Sequence, residues 1–162
     1  MFNSIATTRP APSSFAQVVD GRVPRPLRAA AEATTFADFL AEYAPHSGPV
    51  RLGQWSCVDG ERPSSRLGPQ PRTYQATLAL GERIGTARAA ACGPVAALTA
   101  MLHDRGIAVE VTSFHQGAAG DHTVTYLRGS DGVRTEWALG YSTDAVDSAL
   151  RAVVACANRL RA

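Results

Sequence analysis

A glycine-proline pair, Gly93-Pro94, stands between a strand-like run and a helix-like run, and sets where one must end and the other begin. Proline suits the first helical turn, where its missing N–H costs nothing, and glycine before it permits a sharp turn or a close backbone approach. Beyond it Val95, Leu98, Met101 and Leu102 recur at helical spacing, and Gly106 stands where a C-terminal glycine belongs. The stretch Gly85 to Gly106 therefore reads as a strand-to-helix elbow with unpaired N–H groups facing outward. Such an end suits an anion or carboxylate, because free amides and helix dipole point the same way. A plain structural elbow that binds only water is the alternative.

The pattern around the elbow occurs twice. In the first half, Leu52, Trp55 and Cys57 mark a strand from Arg51 to Val58, and Asp59-Gly60 turns into a Pro/Ser-rich loop to Arg72. Tyr74, Ala76, Leu78 and Leu80 alternate with polar residues in the next strand, Thr73 to Leu80. Gly81-Glu82 then forms a two-residue turn into Arg83 to Ala89. In the second half, strands are predicted over Ile107 to Phe114, His122 to Arg128 and Val133 to Leu139, with His115 to Gly120 a glycine-containing loop. A final helix, capped by Ser142 or Thr143, carries Ala145, Val146, Ala149, Leu150, Val153, Val154, Ala157 and Leu160 on one apolar face. Asp144 and Asp147 near its start and Arg159 and Arg161 at its end match the dipole. The fold class is α+β: two βββα units related by a pseudo-twofold, with helices on one face of the sheets.

Upstream, residues 1–34 show prolines, serines and no sustained period, which predicts a mobile arm. Thr35 caps a short helix to Tyr43 with Phe36, Phe39, Leu40 and Tyr43 on one side. Residues 35–49 are this helix and a linker, and 50–162 the duplicated domain.

Composition excludes several functional classes. The chain has 162 residues and a formal net charge of +2, and all 16 of its basic Lys/Arg residues are arginine, scattered rather than in a stripe. That argues against a nucleic-acid partner. Cys57, Cys92 and Cys156 are an odd set at unrelated spacings, as expected of a reducing, cytoplasmic setting rather than a disulfide framework. No apolar run approaches the roughly 20 residues of a membrane helix, so no membrane partner is expected. No cofactor motif is present.

The run Ala91-Cys92-Gly93-Pro94-Val95-Ala96-Ala97-Leu98, together with Gly140-Tyr141-Ser142-Thr143-Asp144, Ser148-Ala149-Leu150-Arg151-Ala152 and Ala157-Asn158-Arg159, resembles the C-terminal regulatory domain of α-isopropylmalate synthase. The likeness covers about Val50 to Leu160, and Phe39-Leu40-Ala41-Glu42-Tyr43 resembles the segment leading into that domain. The resemblance implies two βββα units, a homodimer, and leucine bound between the units near the glycine junctions. Carried over position by position, the ligand-binding residues are Ala91, Cys92, Gly93, Val95, Ala96, Gly140, Ser142, Thr143 and Asp144. Ala91-Cys92 departs from the family's usual Gly-Asn. The family's catalytic (β/α)₈ barrel, which needs about 250 residues, has no room here, so the resemblance implies a stand-alone, non-enzymatic module acting on a separate synthase.

Other chemistry stays in view. His115, Asp121 and His122 share one loop, but their spacing matches no strong metal signature. Cys92 beside a helix start is a conceivable nucleophile, against the simpler reading of a buried, inert thiol. Trp55, Trp137 and Tyr126 fit as core or interface aromatics. Two functions follow: a dimeric module that senses a branched-chain amino acid or similar small carboxylate, or a ligand-free dimer that acts through a protein partner.

Overall fold

The computed structural model describes residues 11–45, 47–59 and 70–162. Its elements are α1 (Phe15–Val18), a 3-10 turn (Arg25–Leu27), α2 (Arg28–Ala33), α3 (Phe36–Tyr43), β1 (Val50–Cys57), β2 (Arg72–Leu80), β3 (Arg83–Ala91), α4 (Pro94–His103), β4 (Glu110–Ala119), β5 (His122–Ser130), β6 (Thr135–Ser142) and α5 (Ala145–Leu160). The strands form two three-stranded antiparallel sheets, β1-β2-β3 and β4-β5-β6. The chain is therefore α+β, with the repeated order of three strands and a helix.

Local chemistry accounts for the repeat. Gly81 and Gly120, at φ 61° and 63°, open two-residue turns that set Leu80 opposite Arg83 and Ala119 opposite His122. A positive φ followed by an ordinary residue is the turn whose twist matches paired strands. Between β5 and β6 the Asp131 carboxylate accepts from the Val133 and Arg134 amides at 2.9 and 2.7 Å. These two backbone donors, Arg134's foremost, hold its pKa below the usual carboxylate value. The first strand of each unit carries a register shift, between Leu52 and Trp55 in β1 and between Val111 and Ser113 in β4.

The second unit's first strand differs from the sequence expectation. Residues 115–119, predicted as loop, are strand, because the tight Gly120-Asp121 turn pairs them with β5 from His115 opposite Tyr126 to Ala119 opposite His122. Ile107 and Val109, predicted as strand, precede it and bury their side chains in the core. The Pro/Ser-rich loop falls largely on residues 60–69, outside the described residues.

One hydrophobic core joins both units. Tyr74, Ala76 and Leu78 of β2, Leu98, Met101 and Leu102 of α4, Leu127 of β5, and Leu150 and Val153 of α5 meet in it. Helix α5 approaches its sheet very closely. A side chain at Gly140 would stand 1.7 Å from the Ser148 carbonyl oxygen and 2.7 Å from the Ala152 amide, and one at Gly129 would stand 2.6 Å from Cys156 Sγ. At the other end of α5, Asn158 is buried and grips the start of β1: its Oδ1 accepts from the Val50 amide and its Nδ2 donates to the Val50 carbonyl, both at 2.9 Å.

The arm expected over residues 1–34 is corrected from Ser14 onward; residues 1–10 lie outside the described residues. Phe15, Val19, Val23, Leu27 and Ala31 are buried in a second core with Phe39, Val124, Tyr126 and Leu139. Phe15 stacks on Phe39 at 4.2 Å and on Phe36 at 5.5 Å, and meets the edge of Tyr126. The Phe15 amide donates to the Thr34 carbonyl at 2.9 Å, and the Asp20 amide to the Ala118 carbonyl at 2.8 Å. Sheet β4-β5-β6 is thus covered on both faces, by α5 and by the N-terminal segment. The physical reason is the exposed apolar face that β5 and β6 would otherwise present to water.

The two junction glycines serve different ends. Gly93 is extended (φ −169°, ψ 169°) with open space where a side chain would sit, whereas Gly140 is pressed between strand and helix. Gly140→Ser is expected to cost about 3 kcal/mol or more, lowering the unfolding temperature by roughly 6 °C or more, while Gly93→Ser, at a helix N-cap, changes stability by less than about 0.5 kcal/mol. Thermal unfolding of the matched pair checks this.

Candidate functional site

A candidate site lies where the two units and the N-terminal segment converge. A cavity of about 470 Å³ is bounded by Leu40, Ala44 and Pro45 at the end of α3, Val50, Leu52 and Trp55 of β1, Leu139 and Tyr141 of β6, and Val154 and Ala155 of α5. Each wall has a cause. The register shift in β1 spans Leu52 to Trp55, and a bulge locally ends pairing and re-aims side chains. Strands β1 and β6 are edges of separate sheets, so nothing in the hydrogen-bond ladders closes the space between them. Trp55 is held by stacking on Tyr74 at 5.5 Å.

Charge is confined to three of the lining residues. Asp147 and Arg151, one turn apart on α5, form an ion pair with Nε to Oδ2 at 2.6 Å, and their side chains are 43% and 52% exposed. Arg51 points its guanidinium at backbone, donating to the Gly48 carbonyl at 3.1 Å and the Gly81 carbonyl at 2.6 Å. An apolar hollow with one charge pair at its side and a cation nearby can take a small amphipathic molecule. Its volume lies in the range of about 300–1,000 Å³ common for ligand sites.

Of the residues expected from sequence, Gly140 lines this cavity. Ser142, Thr143 and Asp144 form the turn beside it. The cap of α5 is Asp144 rather than Ser142 or Thr143: its side chain accepts from the Asp147 amide at 2.7 Å, and the Ser142 hydroxyl accepts from the Asp144 amide at 3.2 Å. A carboxylate is the stronger acceptor at a helix N-terminus, which decides the competition. Ala91, Cys92, Gly93, Val95 and Ala96 lie at the start of α4, and Val95 and Ala96 line a different, more open hollow with Val109, Glu110 and Val111. The two junctions therefore do not line one cavity. Leu40, Trp55 and Arg51 were not foreseen, because their place in the cavity depends on how β1 and α3 meet β6.

Beneath the cavity floor a hydroxyl chain fixes the first turn of α5. Gln116 Nε2 donates to Thr125 Oγ1 at 3.0 Å and to the Ala145 carbonyl at 2.9 Å. Thr125 and Ser148 hydroxyls lie 2.7 Å apart, and Ser148 Oγ donates toward the Thr123 and Gly140 carbonyls. The Thr125 and Ser148 side chains are fully buried and satisfied, which is the condition for a buried polar group to persist. This network positions Asp147 without touching the cavity chemistry.

The remaining candidates separate in space. His122 pairs with Asp121 at 2.6 Å and stacks on Tyr141 at 4.3 Å, while His115 lies on β4 in another groove. Among the described residues no group of three His, Cys, Asp or Glu side chains could hold a metal ion. Cys92, expected to be buried, is exposed, as is Cys57; Cys156 is the buried thiol. Burial pushes the Cys156 pKa up to about 12 and the Tyr126 pKa likewise to about 12. No helix among the described residues is long and apolar enough to cross a membrane.

Comparison with models of known protein families gives no match. Comparison with curated proteins finds none significantly similar.

The thiols provide a direct test of this geometry. A disulfide reagent at neutral pH is expected to modify Cys57 and Cys92 rapidly and Cys156 only at the rate of global unfolding, read as two fast thiols and one slow; three fast thiols would mean that α5 does not seal against Gly129.

Proposed function

We propose that this chain is a non-catalytic, regulatory-type module that binds a leucine-like amino acid or related small carboxylate and acts on a separate protein. The observation that carries this reading is the 470 Å³ cavity, with apolar walls and the Asp147–Arg151 pair on its lining. A zwitterion brings one charge of each sign, so its carboxylate can face Arg151 or Arg51 and its ammonium Asp147 with no net charge added. Its apolar side chain then fits between Leu52, Trp55 and Val154. The order of two βββα units agrees with the fold implied by the resemblance to the regulatory domain of α-isopropylmalate synthase, and the link to leucine biosynthesis rests on that resemblance alone. Ligand contacts at Ala91 and Cys92 receive no such support, since the start of α4 lines a separate hollow.

Thermal unfolding with leucine, isoleucine, valine and their 2-oxo acids tests the reading. A ligand at 100 times its dissociation constant adds about 2.7 kcal/mol, a rise of roughly 5–11 °C for a chain of this length. Amino acids are expected to shift the transition more than 2-oxo acids, which lack the ammonium for Asp147, and Asp147→Asn or Arg151→Gln to abolish the shift. A shift that survives both changes but is lost in Cys92→Ser would move the site to the start of α4. No shift with any of these compounds would overturn the sensing function.

A homodimer is the second element of the proposal, favoured by one feature. On sheet β1-β2-β3, Leu80, Ala89 and Ala91, none of which lines the cavity, pack against the core yet stay only partly buried. A second copy would cover such a face. Light scattering at micromolar concentration is expected to give twice the chain mass of 17.1 kDa; a monomer would rule this interface out.

A further inference from the structure

The fold gathers charge that the sequence spreads. Arg22, Arg25 and Arg28 from the N-terminal segment and Arg128 from β5 line one groove of about 770 Å³ with His115 and Trp137, and its lining contains no acidic residue. Register and burial explain the meeting. Arg128 lies opposite Ser113 on one side and Trp137 on the other, a row next to the one the N-terminal segment covers. Val23 and Leu27 are buried beneath that segment, so Arg22, Arg25 and Arg28 stand outward along the groove.

The groove's guanidiniums are also idle. Among the described residues Arg22, Arg25 and Arg128 make no side-chain hydrogen bond or ion pair, and Arg28 uses only its Nε, on the Val23 carbonyl at 2.9 Å. Outside the groove Arg51, Arg105, Arg134 and Arg159 bind backbone carbonyls, Arg88 binds Gln75 and Arg151 binds Asp147. Arg72, Arg83 and Arg161 are also without a side-chain partner among the described residues but do not share a hollow, so it is convergence that sets the groove apart. Four unpaired cations in one hollow repel each other, and a compact polyanion converts that repulsion into attraction. Guanidinium forks match phosphate oxygens two at a time. The cations converge on one concavity instead of running along a stripe, as a nucleic-acid backbone would require.

We propose that this groove binds a small molecule carrying two or more phosphate groups. It shares no lining residue with the cavity assigned to the amino acid, so the two assignments stand or fall separately. Calorimetric titration of the full chain with pyrophosphate and with ATP tests it, alongside citrate and a single-stranded decanucleotide. Pyrophosphate and ATP are expected to bind once per chain, more weakly as salt rises. Arg22→Gln/Arg25→Gln/Arg128→Gln should weaken both at least about tenfold with an unchanged unfolding temperature, Arg28 being kept because it holds Val23. Arg128→Gln alone should show part of the loss, and Arg83→Gln/Arg161→Gln, exposed and outside the groove, none. Four results would overturn the proposal: no binding, equal loss in the control, citrate as tight as pyrophosphate, or the oligonucleotide tighter than ATP.

Discussion

The contact of α5 with its sheet at Gly140 decides where everything else can stand. With no Cβ on Gly140, the helix backbone comes close enough that even a methyl group would overlap the Ser148 carbonyl. Small residues continue the contact: Ala149, Ala152, Ala155 and Ala157 are all buried on α5. Dense packing of this kind leaves no slack for the helix to shift. The first two turns, with Asp147 and Arg151, are therefore fixed beside β6, and the last turn reaches β1. There the Asn158 amide bonds both backbone groups of Val50, as a neighbouring strand would. Gly48 makes room for it, since a side chain there would meet the Asn158 amide at 2.5 Å. Removing either glycine or asparagine acts on both units, because α5 is the element that joins them.

What could be read from the sequence follows from the range of the forces involved. The alternation in Thr73 to Leu80, the Gly81-Glu82 turn and the Thr35 cap are local effects, and each appears where its residues dictate. Residues 115–119 are not set locally, since Gln, Gly and Ala have little strand preference and are held by pairing with β5. The N-terminal segment is the larger lesson. Phe15, Val19, Val23, Leu27 and Ala31 fall at every fourth position, an apolar period that Gly21, Pro24 and Pro26 disguise by breaking the helix. Its order comes from the aromatic face of β5 and β6, which no local window contains.

The cavity and the basic groove illustrate the same limit. Gly140 was legible as the glycine junction before the last helix, but not as a close packing contact or a cavity wall. Leu40, Arg51 and Trp55 were not, since they reach the cavity from α3 and β1 only through the tertiary fold. Charge behaves likewise: a near-neutral chain with dispersed arginines still concentrates Arg22, Arg25, Arg28 and Arg128 on one side of sheet β4-β5-β6. That sheet's opposite face carries α5, whose Asp147 and Arg151 serve the cavity. Two chemically distinct hollows thus sit around one rigid sheet.

The starts of α4 and α5 look equivalent in sequence, and their difference bears on where a carboxylate can bind. At α5 the Asp144 carboxylate already occupies the Asp147 amide, and Asp147 adds a second negative charge in the same turn. A ligand carboxylate arriving there would meet like charge and a filled donor. At α4 no side chain caps the helix and Pro94 removes one donor, but Cys92 and Ala96 are exposed and Gly93 faces open space, so water reaches the remaining amides freely. Neither helix end excludes water around a ligand, which is what gives a charged contact its strength. The guanidiniums of Arg51 and Arg151 stand instead beside an apolar hollow, and a carboxylate bound there leaves water only where its own apolar group follows it in.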